Sequence, residues 1–129
     1  MASRLSVNWR WWLFTSGWAT LIFWIALLPS REPPPLHFTW DDKLLHTGAF
    51  FVLAWGLAQA LGKRVAGATR VLVVMGFAAL YGAAIEYAQY NWPVGRTADY
   101  LDWIFDLVGA GLGLALVARY LAPASTPEN

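Results

Sequence analysis

Long apolar stretches with almost no charge constrain this chain more than any other feature of its sequence. Residues 11–28 carry no charged side chain, residues 44–61 contain only His46 and Gln59 as strongly polar interruptions, and residues 71–90 contain only Glu86 and Gln89. At 1.5 Å per residue, a helix over residues 11–28 is about 27 Å long, close to the hydrocarbon thickness of a bilayer. With 13% charged and 58% hydrophobic residues, the chain is too apolar for disorder and too poor in charge for a water-soluble surface.

We therefore predict an all-α membrane protein: one domain over residues 1–129 that forms a bundle of four transmembrane helices. The predicted spans are residues 11–28, 44–61, 71–90 and 100–121. In the last span only residues 107–118 are free of charge, which is too short to cross a bilayer. The helix must therefore extend back through Asp106 and Asp102, and these acids must face protein or water. The absence of cysteine excludes disulfides and thiolate sites.

The basic residues predict the orientation of the bundle. Lys and Arg are enriched in short cytoplasmic segments, and Trp and Tyr at both interfaces. With both termini in the cytoplasm, three of the nine basic residues face outward, Arg31, Lys43 and Arg96, and six face inward: Arg4, Arg10, Lys63, Arg64, Arg70 and Arg119. We therefore expect a multi-pass membrane protein with cytoplasmic termini. The net charge of +1 without a basic run makes nucleic acid a poor partner.

This orientation brings polar residues of three spans to the outer end of the bundle. They are Asp42, Lys43 and His46 at the start of the second span, Glu86 and Gln89 at the end of the third, and Arg96, Asp99, Asp102 and Asp106 around the start of the fourth. At 100° per residue, the acids of the fourth span fall within about 60° of arc. Gly109 and Gly113 lie on nearly the same side, and Gly82 shares a side with Glu86. Small residues let helices approach closely in lipid, so we expect these three polar faces to point inward.

Structural explanations also exist for some of these residues. Asp42 and Lys43 are placed to cap a helix start at the membrane interface, and Gln89 is placed to form a hydrogen bond to a neighbouring helix. Glu86 is costly within a span and therefore needs a partner or a function. Five acids belong to this region: Asp42, Glu86, Asp99, Asp102 and Asp106. They outnumber the basic residues Lys43, Arg96 and His46, so some of the acids are protonated or await a cation.

The order of these motifs resembles the VanZ-like family of small bacterial membrane proteins. The motifs are Asp42-Lys43-x-x-His46, Glu86-x-x-Gln89, Arg96, Asp99-x-x-Asp102-x-x-x-Asp106 and Gly109-x-x-x-Gly113, over about residues 40–115. The resemblance implies a multi-pass plasma-membrane protein and, because the founding member is linked to teicoplanin resistance, a link to glycopeptide resistance. The family usually has Asn where this chain has Asp106, and ionised Asp only accepts hydrogen bonds. The resemblance implies no defined reaction.

We expect an outward-facing site that binds or acts on a cell-envelope component, such as a lipid-linked or glycan precursor or a cationic amphiphile. A metal-assisted enzyme is the first alternative, with His46, Glu86, Asp102 and Asp106 as ligands of a divalent cation; otherwise no cofactor is predicted. An ion-coupled carrier is the second, and it would need oligomers because no internal repeat is evident. The third alternative is a structural membrane partner, in which these polar residues only hold the helices together. Whether the protein is an enzyme stays open at this point.

Overall fold

The computed structural model describes residues 8–29, 40–92 and 98–121, and within these ranges its regular structure is entirely helical. The helices are α1 (Trp9–Ala26), α2 (Trp40–Leu61), α3 (Gly67–Asn91) and α4 (Tyr100–Leu121), with a short 3₁₀ turn, Gly62–Arg64, between α2 and α3. The predicted all-helical class is confirmed. Helices α2 and α3 begin four residues before the predicted starts at 44 and 71, because polar residues in a first turn do not interrupt a helix.

Three of the four helices are long and apolar enough to cross a membrane. They are Trp40–Arg64, Gly67–Asn91 and Tyr100–Tyr120, judged by length and composition within the described ranges. Helix α1 is not among them: it has 18 residues and includes Arg10, hydroxyl side chains and several Trp. The prediction of a first span was made from the absence of charge and the length of the stretch, and uncharged residues are not all strongly apolar.

Helices α2 and α4 run parallel and touch backbone to backbone. Gly109 of α4 faces Thr47, and Gly113, one turn further on, faces Phe51, one turn further along α2. A Cβ atom at either glycine would collide with the carbonyl oxygen of the residue opposite. Small residues at this spacing let two helices in lipid pack at van der Waals distance. The parallel pairing places the first turns of α2 and α4 at the same end of the bundle.

Helix α3 runs antiparallel to α4, because Glu86 near the end of α3 contacts the N–H of Asp99 just before α4 begins, whereas Ala79, earlier on α3, contacts Trp103, further along α4. The Trp103 indole N–H donates to the carbonyl of Ala79 at 2.9 Å, and an added Cβ at Gly82 would lie 2.9 Å from Asp106 Oδ2. One face of α3 is buried at helical spacing: Arg70, Val74, Ala78, Gly82, Ile85 and Gln89. The last turns of α3 therefore lie beside the first turns of α4.

Helix α1 packs along α2 and reaches α3. The Trp18 indole N–H donates to the carbonyl of Ala49 at 2.9 Å, and the Tyr81 hydroxyl donates to the carbonyl of Ala19. Large apolar side chains cover the outside of the bundle, such as Leu45, which is 72% exposed, and Leu80, which is 76% exposed. An outer surface of this kind suits contact with lipid.

Candidate functional site

Seven of the nine polar residues singled out from the sequence meet where α2 begins, α3 ends and α4 begins. They are Asp42, Lys43 and His46 of α2, Glu86 of α3, and Asp99, Asp102 and Asp106 around the start of α4. We call these seven residues the polar cluster. Arg96 lies outside the described residues. The convergence follows from the helix directions, because α2 and α4 start at the end where α3 finishes.

Lys43 is the centre of the polar cluster, and its side chain is only 3% exposed. Its Nζ atom lies 2.8 Å from Asp99 Oδ2 and 3.5 Å from Asp42 Oδ2, and it forms an ion pair with Asp102 Oδ1. A buried ammonium group is tolerated only when charged partners replace its water. Lys43 therefore joins α2 to α4 and is not the solvent-facing cap that its sequence position also permits.

His46 lies one turn after Asp42 and bridges two acids of α4. Its Nδ1 atom is 2.8 Å from Asp106 Oδ1, and its Nε2 atom is 3.5 Å from Asp102 Oδ2. The Asp106 side chain is 1% exposed. With both ring nitrogens next to carboxylates, the imidazole is held in one orientation, and it can hold or pass a proton between the two acids.

Glu86 meets the backbone at the start of α4. Its Oε2 atom accepts a hydrogen bond from the N–H of Asp99 at 2.8 Å, and the Oδ1 atom of Asp99 accepts one from the N–H of Leu101 at 2.9 Å. Carboxylates at a helix start satisfy free N–H groups and complement the helix dipole. The Oε1 atom of Glu86 is buried and has no hydrogen-bond partner among the described residues. One of the two carboxylate oxygens of Glu86 therefore makes no hydrogen bond within the described part of the chain.

Asp99, just before the first turn of α4, has a lowered pKa. Burial alone would raise it, but hydrogen bonds from Lys43 and from the N–H of Leu101, together with the charge of Lys43, hold the pKa below its ordinary value of 3.8. Asp99 is therefore ionised at neutral pH. It stabilises the end of the bundle in its charged form.

Gln89 does not join the polar cluster. Its Nε2 atom donates to the carbonyl of Ala26 at 3.0 Å, which satisfies a free carbonyl at the end of α1. Of the two interpretations that the sequence allowed, the structure shows the hydrogen bond across helices.

Two features of the site have no clear signal in the sequence. The Thr47 hydroxyl donates to the carbonyl of Lys43 at 2.9 Å and lies 3.4 Å from the carbonyl of Phe105, so it adds a polar contact between α2 and α4.

The second feature is a cavity of about 460 Å³ that adjoins the polar cluster between α1 and α2. Its walls are largely apolar, with Asp42, His46 and Gln89 as the polar lining; the apolar lining includes Trp18, Leu21, Ile22, Ile25, Phe50 and Ile85. Only the small residues Gly48 and Ala49 hint at it in the sequence.

Three residues of the polar cluster have the composition of a metal site. One ligand atom each from Asp42, His46 and Asp102 lie within 4.8 Å of one another. This set includes Asp42 in place of the Glu86 and Asp106 predicted from the sequence. Lys43 already pairs with Asp42 and Asp102, so a divalent cation here would have to compete with its ammonium group.

A helical bundle with three apolar helices of membrane-spanning length and a buried ion-pair network at one end defines a small helical membrane protein. The sequence model of the VanZ/LLP1 family matches residues 17–121, which is most of the chain, and the protein belongs to this family. The resemblance drawn from the motifs is thereby confirmed, and the match extends beyond them into α1. No curated protein and no solved structure matches the chain.

Proposed function

We propose that this VanZ-family protein crosses the plasma membrane four times, with both termini in the cytoplasm and the polar cluster at the outer face. The basic residues of the α2–α3 turn, Lys63 and Arg64, support this orientation. Helix α1 packs antiparallel to α2 through Trp18 and Ala49. Its 18 residues give about 27 Å of helix, enough to accompany α2 across the hydrocarbon.

The polar cluster serves, in this proposal, to bind or act on a component of the cell envelope. The carrying observation is its charge imbalance: five carboxyl groups surround one Lys and one His, and three of these residues are buried, Lys43, Asp102 and Asp106. A cluster that only locked helices together would need no acid beyond the buried pairs of Lys43 with Asp102 and His46 with Asp106, and a further buried carboxylate such as Glu86 without a charged partner destabilises the fold. The surplus carboxyl groups, including the partnerless Oε1 of Glu86, are available to a cationic or hydrogen-bond-donating ligand.

Glu86→Gln tests this role most sharply. The amide keeps the shape of the side chain and can still accept the hydrogen bond from the N–H of Asp99, and it removes the cost of a buried carboxylate. Asp41→Asn is the matched control, because Asp41 is an exposed acid in the first turn of α2. The readouts are membrane abundance, thermal stability in detergent and teicoplanin susceptibility of a host that carries the gene.

We expect Glu86→Gln to accumulate normally and to lose the phenotype, and Asp41→Asn to keep it. At Asp106, where the family usually has Asn, we expect Asp106→Asn to retain the phenotype, because an Asn oxygen can still accept from the Nδ1 atom of His46. A well-folded Glu86→Gln protein with a full phenotype would show that the carboxylate is structural. If the wild-type protein had no effect on teicoplanin susceptibility, the proposed link to glycopeptide resistance would be refuted. The binding of another cell-envelope component would then need a different assay.

A metal-assisted enzyme is the second candidate, favoured by the spacing of Asp42, His46 and Asp102. Oxygen and imidazole ligands suit Mn²⁺ or Zn²⁺. Metal analysis of the purified chain after equilibration with either ion tests it. One bound ion per chain, lost in His46→Ala, would establish the metal site that such an enzyme requires, and no binding at micromolar concentration would exclude it.

A further inference from the structure

The cavity between α1 and α2 shares two residues with the polar cluster. Asp42 and His46 belong to both, and the remaining lining comes mainly from apolar side chains of the second half of α1 and the first half of α2. A volume of about 460 Å³ lies within the range of small-molecule sites, roughly 300–1,000 Å³. A ligand that fills this cavity has its polar end at the polar cluster and its apolar end further along α2, among Trp18, Ala49 and Phe50.

The charge at the polar end selects the head group. Asp42 lines the cavity with a side chain that is 46% exposed, and it lies 3.5 Å from the Lys43 ammonium, which also pairs with Asp99 and Asp102. Lys43 is therefore shared among three carboxylates and neutralises Asp42 only in part. His46 is already engaged by Asp106 at 2.8 Å. An anionic head group would meet this acidic wall unfavourably, whereas a cationic one would complete the pairing of Asp42.

We infer that this cavity binds a single-chain amphiphile with a cationic amine head, the amine on Asp42 and the hydrocarbon chain between α1 and α2. This inference rests on the proposed envelope-binding function and names its ligand class. In a membrane the chain moves from lipid into an equally apolar cavity, so its transfer adds little free energy. Selectivity therefore comes from the head group and from the shape of the cavity.

Native mass spectrometry of the full chain in a neutral maltoside detergent measures this selectivity. The probes share a twelve-carbon chain and differ in the head: dodecylamine, dodecanol and dodecyl sulfate. A charge-assisted hydrogen bond to Asp42 should give dodecylamine an apparent Kd about tenfold or more below that of dodecanol. Equal binding of the three probes would overturn the inference, and so would a preference for the sulfate.

Two pairs of variants locate the binding. Asp42→Asn should abolish the preference for the amine, whereas the neighbouring exposed acid in Asp41→Asn should leave it intact. Gly48 lines the cavity and has open space at its Cβ position, so Gly48→Leu should fold normally and lose the binding of both dodecylamine and dodecanol. Gly76 has equally open space on α3 and is not among the residues that line the cavity, so Gly76→Leu should bind as the wild type does.

The outcomes separate this inference from the function on which it rests. An amine preference that survives Asp42→Asn, or binding that survives Gly48→Leu, places the amphiphile elsewhere and refutes the inference. If Glu86→Gln still abolishes the phenotype in that case, the envelope role stands with a different ligand. If amine binding at Asp42 is confirmed and Glu86→Gln keeps the phenotype, the cavity binds amphiphiles and the role proposed for the polar cluster is wrong.

Discussion

Replacing Lys43 with Met should destabilise the bundle by about 3 kcal/mol. The Lys43 side chain is 3% exposed and that of its partner Asp102 is 11% exposed, and breaking a buried pair by removing one partner costs roughly 3–5 kcal/mol. The Asp99 side chain is 37% exposed and that of Asp42 is 46% exposed, so water replaces Lys43 there and little is lost. The lower end of the range therefore applies, which corresponds to about a hundredfold change in the unfolding equilibrium.

Reversible unfolding in mixed micelles, followed by tryptophan fluorescence, measures this change. Lys63→Met is the matched control, because Lys63 is exposed in the turn after α2, and its effect should stay within about 0.5 kcal/mol. The double variant Lys43→Met with Asp102→Leu should recover much of the loss, since no unpaired charge then remains at the buried contact.

Either of two results would refute this reasoning. If Lys43→Met were no more destabilising than Lys63→Met, the buried ion pair would not hold α2 to α4. If the double variant were as unstable as the sum of its single changes, the loss would come from packing and not from an uncompensated Asp102 charge.

Three further predictions concern packing, orientation and pH. Gly109→Leu should disrupt the bundle, because its side chain meets the α2 backbone, whereas Leu112→Ala on the exposed face should be mild; equal shifts in melting temperature would contradict this packing. With a native chain free of cysteine, an impermeant thiol reagent added outside should label Asp41→Cys and spare Ala66→Cys, and the reverse pattern would invert the orientation. Because the pKa of Asp99 is lowered, its stabilisation should be fully present above about pH 3.8 and be lost as the pH falls through its lower folded value. A pH series of melting temperatures should be flatter for Asp99→Asn, and identical curves would exclude this role.

The sequence by itself determined the class of fold and the end of the bundle at which the polar residues gather. Stretches free of charge predicted the helices, and three of them proved long and apolar enough to cross a membrane. Because each polar residue has a fixed position along its helix, the order Asp42, Glu86, Asp102 also predicted that these acids lie at one end of the bundle. Helix α1 was harder to judge, since counting charges does not measure how apolar Trp, Ser and Thr are.

Only the tertiary structure decided which polar groups pair. A shift of one residue in the contact between two helices turns each side chain by about 100°, so the partners depend on the register in which α2 meets α4. That register depends on where the backbones touch, at Thr47 and Gly109, and it places Lys43 between Asp99 and Asp102. The way in which α3 packs against α1 likewise turns Gln89 toward the carbonyl of Ala26 and away from the polar cluster. The cavity depends on how the helices that line it diverge, and the small residues Gly48 and Ala49 do not by themselves determine that divergence.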